Sequence, residues 1–370
     1  MKKNILIFHQ NLVMGGVEKV TLNIIKNIDK NKFNIKLILV EKFGELLEEI
    51  PKDIEVVELL DKDYSIKNNI LKYILYLKEI YIIRKKLKKI IKDEDILLNM
   101  NMRNIRFNIT LFQYKNKKIG WIHGNIMNDF GNFKERINYK LFYQYSIILN
   151  VSKEGTDDFN KKFPKLKNRT KTLYNSLDIE FIKKMSVSEK INKNNYLVSV
   201  GRLSEEKGFD ILIDSIKLLK DDGIDEKLYI IGEGNERDRL EEKIKKLNLE
   251  ENVFLPGFNS NPYAILKNSK IYILSSRGEG LPTVLIEALA CECPIISTDC
   301  KCGPREILNN GDYGLLVPVG DAMELKEGIK KMILDNNLRA RFKEKSLERA
   351  YDFSNKKILK KLENIIERVE

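Results

Sequence analysis

The 370-residue chain is 43% hydrophobic and 32% charged, which permits full cores beneath a heavily charged surface and exceeds what one core of ordinary size supports. No run approaches the roughly 20 consecutive apolar residues of a membrane-spanning helix, and Asn4, His9, Gln10 and Asn11 break the opening run too early for a signal peptide, so a cytoplasmic two-domain protein is expected. The formal charge of +12 is concentrated in residues 1–180, which hold 34 basic and 22 acidic side chains against 32 of each in the remainder.

Taken in chain order, short apolar runs at 4–9, 35–40, 54–60, 96–100, 118–121, 146–150 and 170–174 predict strands, with helical patterns between them. Behind the first strand stands Met14-Gly15-Gly16-Val17-Glu18, a glycine turn opening a helix, where backbone can approach a phosphate or sugar closely. Gly-Gly is also an ordinary turn, so alone it decides nothing. Between Lys67 and Lys92 the residues Ile70, Tyr73, Ile74, Leu77, Ile80, Tyr81, Ile83, Leu87, Ile90 and Ile91 recur at helical spacing among lysines and Arg84. A core helix with a solvated lysine face is the default account; adsorption to anionic lipid headgroups is the sharper one. His123, in Trp121-Ile122-His123-Gly124-Asn125, ends a predicted strand, as does His9, and these are the only histidines.

A polar stretch, 186–195, interrupts the rhythm and reads as a linker between domains at 1–185 and 196–353. Strands are then expected at 196–200, 227–231, 253–255, 270–274, 294–298 and 314–317. The fold class is therefore α/β, two doubly wound Rossmann-like domains facing across a cleft, with ligands expected in the strand-to-helix loops.

Three such loops carry chemistry. Gly201-Arg202-Leu203-Ser204-Glu205-Glu206-Lys207-Gly208 puts two cations, Arg202 and Lys207, where they can neutralise a diphosphate as it is held and as it departs. Gly232-Glu233-Gly234 lacks the third glycine and the ribose-binding acid of a dinucleotide site, so no NAD cofactor is expected. In Ser275-Ser276-Arg277-Gly278-Glu279-Gly280-Leu281-Pro282-Thr283-Val284-Leu285-Ile286-Glu287, Pro282 suits a helix start, so Gly280 to Thr283 face an anion with free N–H groups while Glu279 stands just ahead. Glu287 falls about one and a half turns further on, in an apolar stretch where a carboxylate needs a partner such as a vicinal diol. Cys291, Cys293, Cys300 and Cys302 lie within twelve positions; buried or loop thiols are favoured over a zinc site, and no metal is expected.

On Gly15-Gly16, Gly201-Arg202 with Lys207-Gly208, Glu279-x7-Glu287 with Gly280-Leu281-Pro282, and Gly303-Pro304-Arg305-Glu306-Ile307, the chain resembles the family 4 retaining glycosyltransferases of the B-type fold over nearly its whole length. The resemblance implies that Arg202 and Lys207 hold the diphosphate of a nucleotide-sugar donor, with Gly16 closing over it. It implies that Glu279 holds the hydroxyls of the transferred sugar, that Glu287 holds the ribose, and that Gly280, Leu281, Pro282 and Thr283 assist. His123 looks like the family's active-site histidine, with His9 kept as the alternative. The first domain would bind the acceptor, a saccharide or lipid-linked saccharide, and a last helix, 354–370, would cross back onto it. UDP is the expected nucleotide on family frequency, and surface-glycan synthesis at the inner face of the membrane the expected setting. The cysteines around 291–302 depart from the family's pattern. A sugar-nucleotide epimerase or a phosphorylase of the same fold, and a basic nucleic-acid-binding protein, are the competing readings; no nucleic-acid motif supports the last.

Overall fold

The computed structural model describes residues 2–13, 15–60, 69–124, 133–189 and 195–369. The chain divides into two units, Met1–Ser176 together with Ile358–Glu370, and Leu177–Lys357.

In the first unit β1 (Lys3–His9), β2 (Phe33–Leu39), β3 (Glu55–Glu58), β4 (Ile96–Asn99), β5 (Lys118–Ile122), β6 (Ile147–Asn150) and β7 (Thr170–Thr172) form a parallel sheet in the order β3-β2-β1-β4-β5-β6-β7. The crossovers carry α1 (Gly16–Asn27), α2 (Asn69–Ile90), α3 (Ile105–Leu111), α4 (Phe133–Leu141) and α5 (Lys153–Lys162). The inner strands are apolar on both faces: Ile5 to Phe8 and Ile96 to Leu98 are all buried, as a sheet covered by helices on both sides requires. Strand order reverses between β1 and β4, so the loops leaving these strands diverge and open a crevice at their carboxyl ends.

The second unit begins with α6 (Ile179–Ser186) and repeats the plan: β8 (Tyr196–Val200), β9 (Lys227–Ile231), β10 (Val253–Gly257), β11 (Ile271–Leu274), β12 (Ile295–Thr298) and β13 (Leu315–Val317) run in the order β10-β9-β8-β11-β12-β13. Its remaining helices are α7 (Phe209–Asp221), α8 (Arg237–Lys246), α9 (Pro262–Asn268), α10 (Thr283–Ala290), α11 (Pro304–Ile307), α12 (Ala322–Leu334) and α13 (Asn336–Tyr351). Its core joins Leu197, Leu228, Ile230, Ile271 and Ile273 from the strands to Leu212, Ile213, Ile216 and Ile329 from α7 and α12. Each expected strand is present with ends within two residues, the margin at which a ladder's last hydrogen bond is made or lost.

The division between units falls at Ser176, ahead of the polar stretch 186–195, of which residues 190–194 lie outside the described residues. Backbone hydrogen bonds to the far end of the second unit account for this. The Leu177 N–H donates to the Phe353 carbonyl and the Asn355 N–H to the Leu177 carbonyl, both at 3.0 Å, and the Asp178 carboxylate caps α6 through the Phe181 N–H. The final helix, α14 (Asn355–Glu367), belongs to the first unit from Ile358 onward. There it buries Ile358, Leu359, Leu362 and Ile366, and Lys3 Nζ donates to the Glu367 carbonyl at 2.7 Å.

Helix α2 sorts the residues of its sequence pattern. Ile80, Ile83 and Leu87 are buried, whereas Leu77, Lys78, Tyr81, Lys85, Lys88 and Lys89 are exposed. Arg84 and Lys86 serve the fold, donating to the carbonyls of Ile109 at 3.0 Å and Glu58 at 3.4 Å. Lys67 and the side chains of Ile70, Tyr73 and Ile74 lie outside the described residues. Among the described residues no helix is long and apolar enough to cross a membrane.

Candidate active site

In the second unit β8 and β11 pair directly, so the loops leaving their carboxyl ends are neighbours. One carries Arg202 and Lys207, the other Ser275 to Pro282. Lys207 Nζ lies 2.6 Å from Glu279 Oε1, and the Ser276 hydroxyl donates to the same oxygen at 2.6 Å. The lysine stem crosses Gly201, its Cδ and Cε 3.7 Å from where a Cβ would stand. Arg202 is exposed and makes no side-chain hydrogen bond or ion pair among the described residues. The loop pair therefore offers one cation already tied to a carboxylate and a second directed to solvent, a combination suited to an anion carrying hydroxyls.

Glu287 is the fifth residue of α10 and is buried. The Tyr272 phenol of β11 is buried, and its pKa is raised well above its ordinary value by burial and then by the charges of Glu279 and Glu287. The two carboxylates thus act on one buried ring. Pro282 caps α10 and has no N–H, so Gly280, Leu281 and Thr283 are the residues of the expected set that can donate through the backbone. Behind this turn Gly303 adopts φ +115°, and a Cβ there would stand 2.4 Å from Pro282 Cδ. Close packing against Pro282 explains the glycine of Gly303-Pro304.

Sequence reasoning passed over Tyr272, Ser276 and the pairing of Arg277 with Asp210, whose two hydrogen bonds measure 2.9 and 2.8 Å. Asp210 and Arg277 are remote from one another in sequence, so nothing in the local pattern marks that pair, whereas Ser276 lies in the same short loop as its partner Glu279. The cysteines are all buried; burial pushes the thiols of Cys293 and Cys300 up to about 12, where thiolate is negligible at neutral pH. Among the described residues no cluster is suited to a metal ion.

In the first unit Gly16 is the first residue of α1, with nothing within 4 Å of a Cβ built on it. The Glu18 carboxyl folds back onto Gly15, where a Cβ would lie 2.2 Å from Oε2. Met14 and Asn125 lie outside the described residues. His9 donates from Nδ1 to the Asn11 carbonyl at 2.7 Å, which fixes its tautomer and leaves Nε2 an acceptor, 4.0 Å from Glu18 Oε1. His123 stacks on Trp121 at 5.2 Å between ring centroids; both its ring nitrogens are buried without a hydrogen-bond partner among the described residues.

Burial depresses both imidazoles. His9 falls to about 4, the Asn11 carbonyl opposing the shift, and His123 to about 3, lowered by burial and then by His9 while Asn175 opposes. Both are neutral at pH 7. Because the unfolded chain protonates near pH 6.5 and the folded chain does not, stability is full above that pH and falls as pH drops towards 4, by about 1.4 kcal/mol per pH unit for each histidine. Urea unfolding from pH 7 to 4.5 should show this slope diminished in His9→Phe. No histidine inflection is expected in kcat/KM between pH 5.5 and 8.

Two doubly wound parallel sheets with a final helix returning to the first define the GT-B fold, and the second unit's strand-to-helix loops join Lys207 to Glu279. The family described as "Glycosyl transferases group 1" matches residues 180–349. A curated relative from Campylobacter jejuni, the N-acetylgalactosamine-N,N'-diacetylbacillosaminyl-diphospho-undecaprenol 4-alpha-N-acetylgalactosaminyltransferase, is 32% identical over 95% of this chain and 96% of its own length. An uncharacterized glycosyltransferase of Methanocaldococcus jannaschii is 35% identical over 68% of this chain and 72% of its own. Among solved structures, Anabaena HepE in complex with UDP and glucose superposes with a TM-score of 0.79 at 20% identity, covering 99% of both chains. The chain belongs to the glycosyl transferases group 1 family, the family 4 retaining glycosyltransferases.

Proposed function

We propose that the protein transfers a sugar from a UDP-sugar to a lipid-linked saccharide in the assembly of a bacterial-type glycan, with retention of anomeric configuration. The observation that carries the reading is the second unit's pairing of Lys207 with Glu279 beside an unpaired Arg202. Support for UDP comes from the structural neighbour solved with that nucleotide, and for the acceptor from the Campylobacter relative, named for a diphospho-undecaprenol substrate.

In this reading Arg202 and Lys207 take the diphosphate, Glu279 the hydroxyls of the transferred sugar and Glu287 the ribose, with the amides of Gly280, Leu281 and Thr283 assisting beside Pro282. Gly16 and His123 keep the roles implied by the resemblance, at the diphosphate and at the sugar; the first unit takes the acceptor. The acceptor hydroxyl oxygen bonds to the anomeric carbon as the bond from that carbon to the diphosphate oxygen breaks, on the same face, and the hydroxyl proton passes to the departing phosphate. Cations and helix amides stabilise the leaving charge without a metal.

Calorimetry with UDP, GDP and ADP, with and without EDTA, tests the donor site. Binding of UDP that is insensitive to EDTA and weakened in Lys207→Ala and Glu287→Ala is the expected result; binding of none of the three removes the reading.

The exposed face of α2 supports a further element, peripheral adsorption to an anionic membrane, because Leu77 and Tyr81 stand beside Lys78, Lys85, Lys88 and Lys89. Reversing those four lysines to glutamate should abolish low-salt flotation with phosphatidylglycerol vesicles. Arg84 and Lys86 are excluded from the set because they hold the fold together. Unchanged flotation would assign the lysines to solvation alone.

A further inference from the structure

Three successive carbonyls of the turn that bears Lys207 are each taken by residues 275–277. Arg277 Nη1 donates to the Glu205 carbonyl at 2.6 Å, the Arg277 backbone N–H to that of Glu206 at 2.8 Å, and the Ser275 hydroxyl to that of Lys207 at 2.8 Å. The guanidinium also grips Asp210, in the first turn of α7, through both carboxylate oxygens. Burial raises the Asp210 carboxyl, but the hydrogen bonds and charge of Arg277, with a further contribution from Arg239, bring it below its ordinary value, so the pair is ionised. Arg277 therefore spans the turn from its first carbonyl to the helix that follows. Two residues further on stands Glu279, the partner of Lys207.

We propose that Arg277 is a positioning residue for the donor diphosphate, fixing the Lys207 turn to the loop of Glu279 so that the lysine head and the carboxylate are presented as one rigid set. The inference rests on the donor-site reading above. Physically, Lys207 has a flexible four-carbon stem, and a cation on such a stem is effective at a phosphate only where its backbone anchor is fixed. A planar fork that makes parallel bonds to a carboxylate and a third bond to a carbonyl fixes it in direction as well as distance. A purely structural role would lower stability without changing which phosphate is felt.

The full chain is titrated calorimetrically with UDP and with UMP, so that the ratio of the two affinities reports the terminal phosphate alone. In the wild type UDP binds more tightly, and Lys207→Ala removes most of that advantage. Arg277→Ala is expected to lower the UDP-to-UMP ratio about five-fold or more while UMP affinity stays within about two-fold, and to have less than about a two-fold further effect on UDP in a Lys207→Ala background, since the two act as a unit. Arg277→Lys should behave like the alanine variant, because an ammonium cannot make the fork.

A ratio unchanged in folded Arg277→Ala, or equal weakening of both nucleotides, overturns the proposal. If Arg277→Ala fails to fold, as circular dichroism would show, an unchanged ratio in Arg277→Lys overturns it equally. Failure of the wild type to bind either nucleotide instead removes the donor reading, and the inference with it.

Discussion

Lys207→Ala should lower kcat/KM by about 10²- to 10³-fold, the loss of about 2.7–4 kcal/mol that follows removal of one preorganised charge-stabilising group. The Lys207 side chain is about three-quarters buried and that of Glu279 more so, at 24% and 11% exposure. The substitution thus removes the cation and leaves a carboxylate held, among the described residues, by the Ser276 hydroxyl. Two effects are mixed in that result and can be separated. Stranding a mostly buried carboxylate lowers stability, which urea unfolding reads, whereas the loss at the transition state appears in kcat/KM under conditions where all the enzyme is folded. A variant that loses stability but keeps kcat/KM within about three-fold of the wild type would show Lys207 to be a structural partner of Glu279 and nothing more.

Gly208→Ala is expected to cost the second unit substantial stability, because both the backbone conformation and the space at residue 208 exclude a Cβ. Gly208 sits at φ +62°, and a Cβ there would come 2.2 Å from the Ser275 carbonyl oxygen, a backbone atom that cannot step aside without moving the end of β11. The left-handed conformation accounts for about 1–2 kcal/mol and the clash for a similar amount, so the unfolding free energy should fall by about 2–4 kcal/mol. Gly223→Ala is the matched control. Gly223 adopts φ +81° with nothing within 4 Å of a built Cβ, so it should show the conformational part alone. Because displacement of residue 275 also breaks the Ser275 bond to the Lys207 carbonyl, UDP affinity should fall about ten-fold in the first variant and stay unchanged in the second. Equal stability losses in the two would mean that the loop yields at Gly208 and that the close approach carries no energy.

The strands were legible because a parallel sheet buried on both faces leaves continuous apolar runs bounded by turns; Ile96 to Asn99 and Ile271 to Leu274 are buried at every position. Helix α6 was assigned by sequence to the first domain because its polar exit at 186–195 looks like a hinge, yet the bridge between Leu177 and Ser354 ties the preceding residues to the second unit. Two residues nearly two hundred positions apart decide that, and no local pattern contains it. The same holds for chemistry. Glu279, Glu287, Arg202 and Lys207 announce themselves by type and spacing in strand-to-helix loops. Arg277 and Asp210 do not: one reads as an incidental loop cation and the other as an ordinary first-turn acid, and only the pairing of β8 with β11 reveals them as a pair. Gly303 was legible as part of a motif but not for its reason, which is the space needed by Pro282.

The return of α14 has a consequence for how the molecule comes into being. Residues 358–370 complete a unit whose other members are all encoded before residue 177, so in order of synthesis the second unit is an insertion within the first. The ribosome delivers residues 177–357 before the last helix, and the second unit can therefore condense while the first still exposes the surface that Ile358, Leu359, Leu362 and Ile366 will cover. The half of the protein made first is finished last.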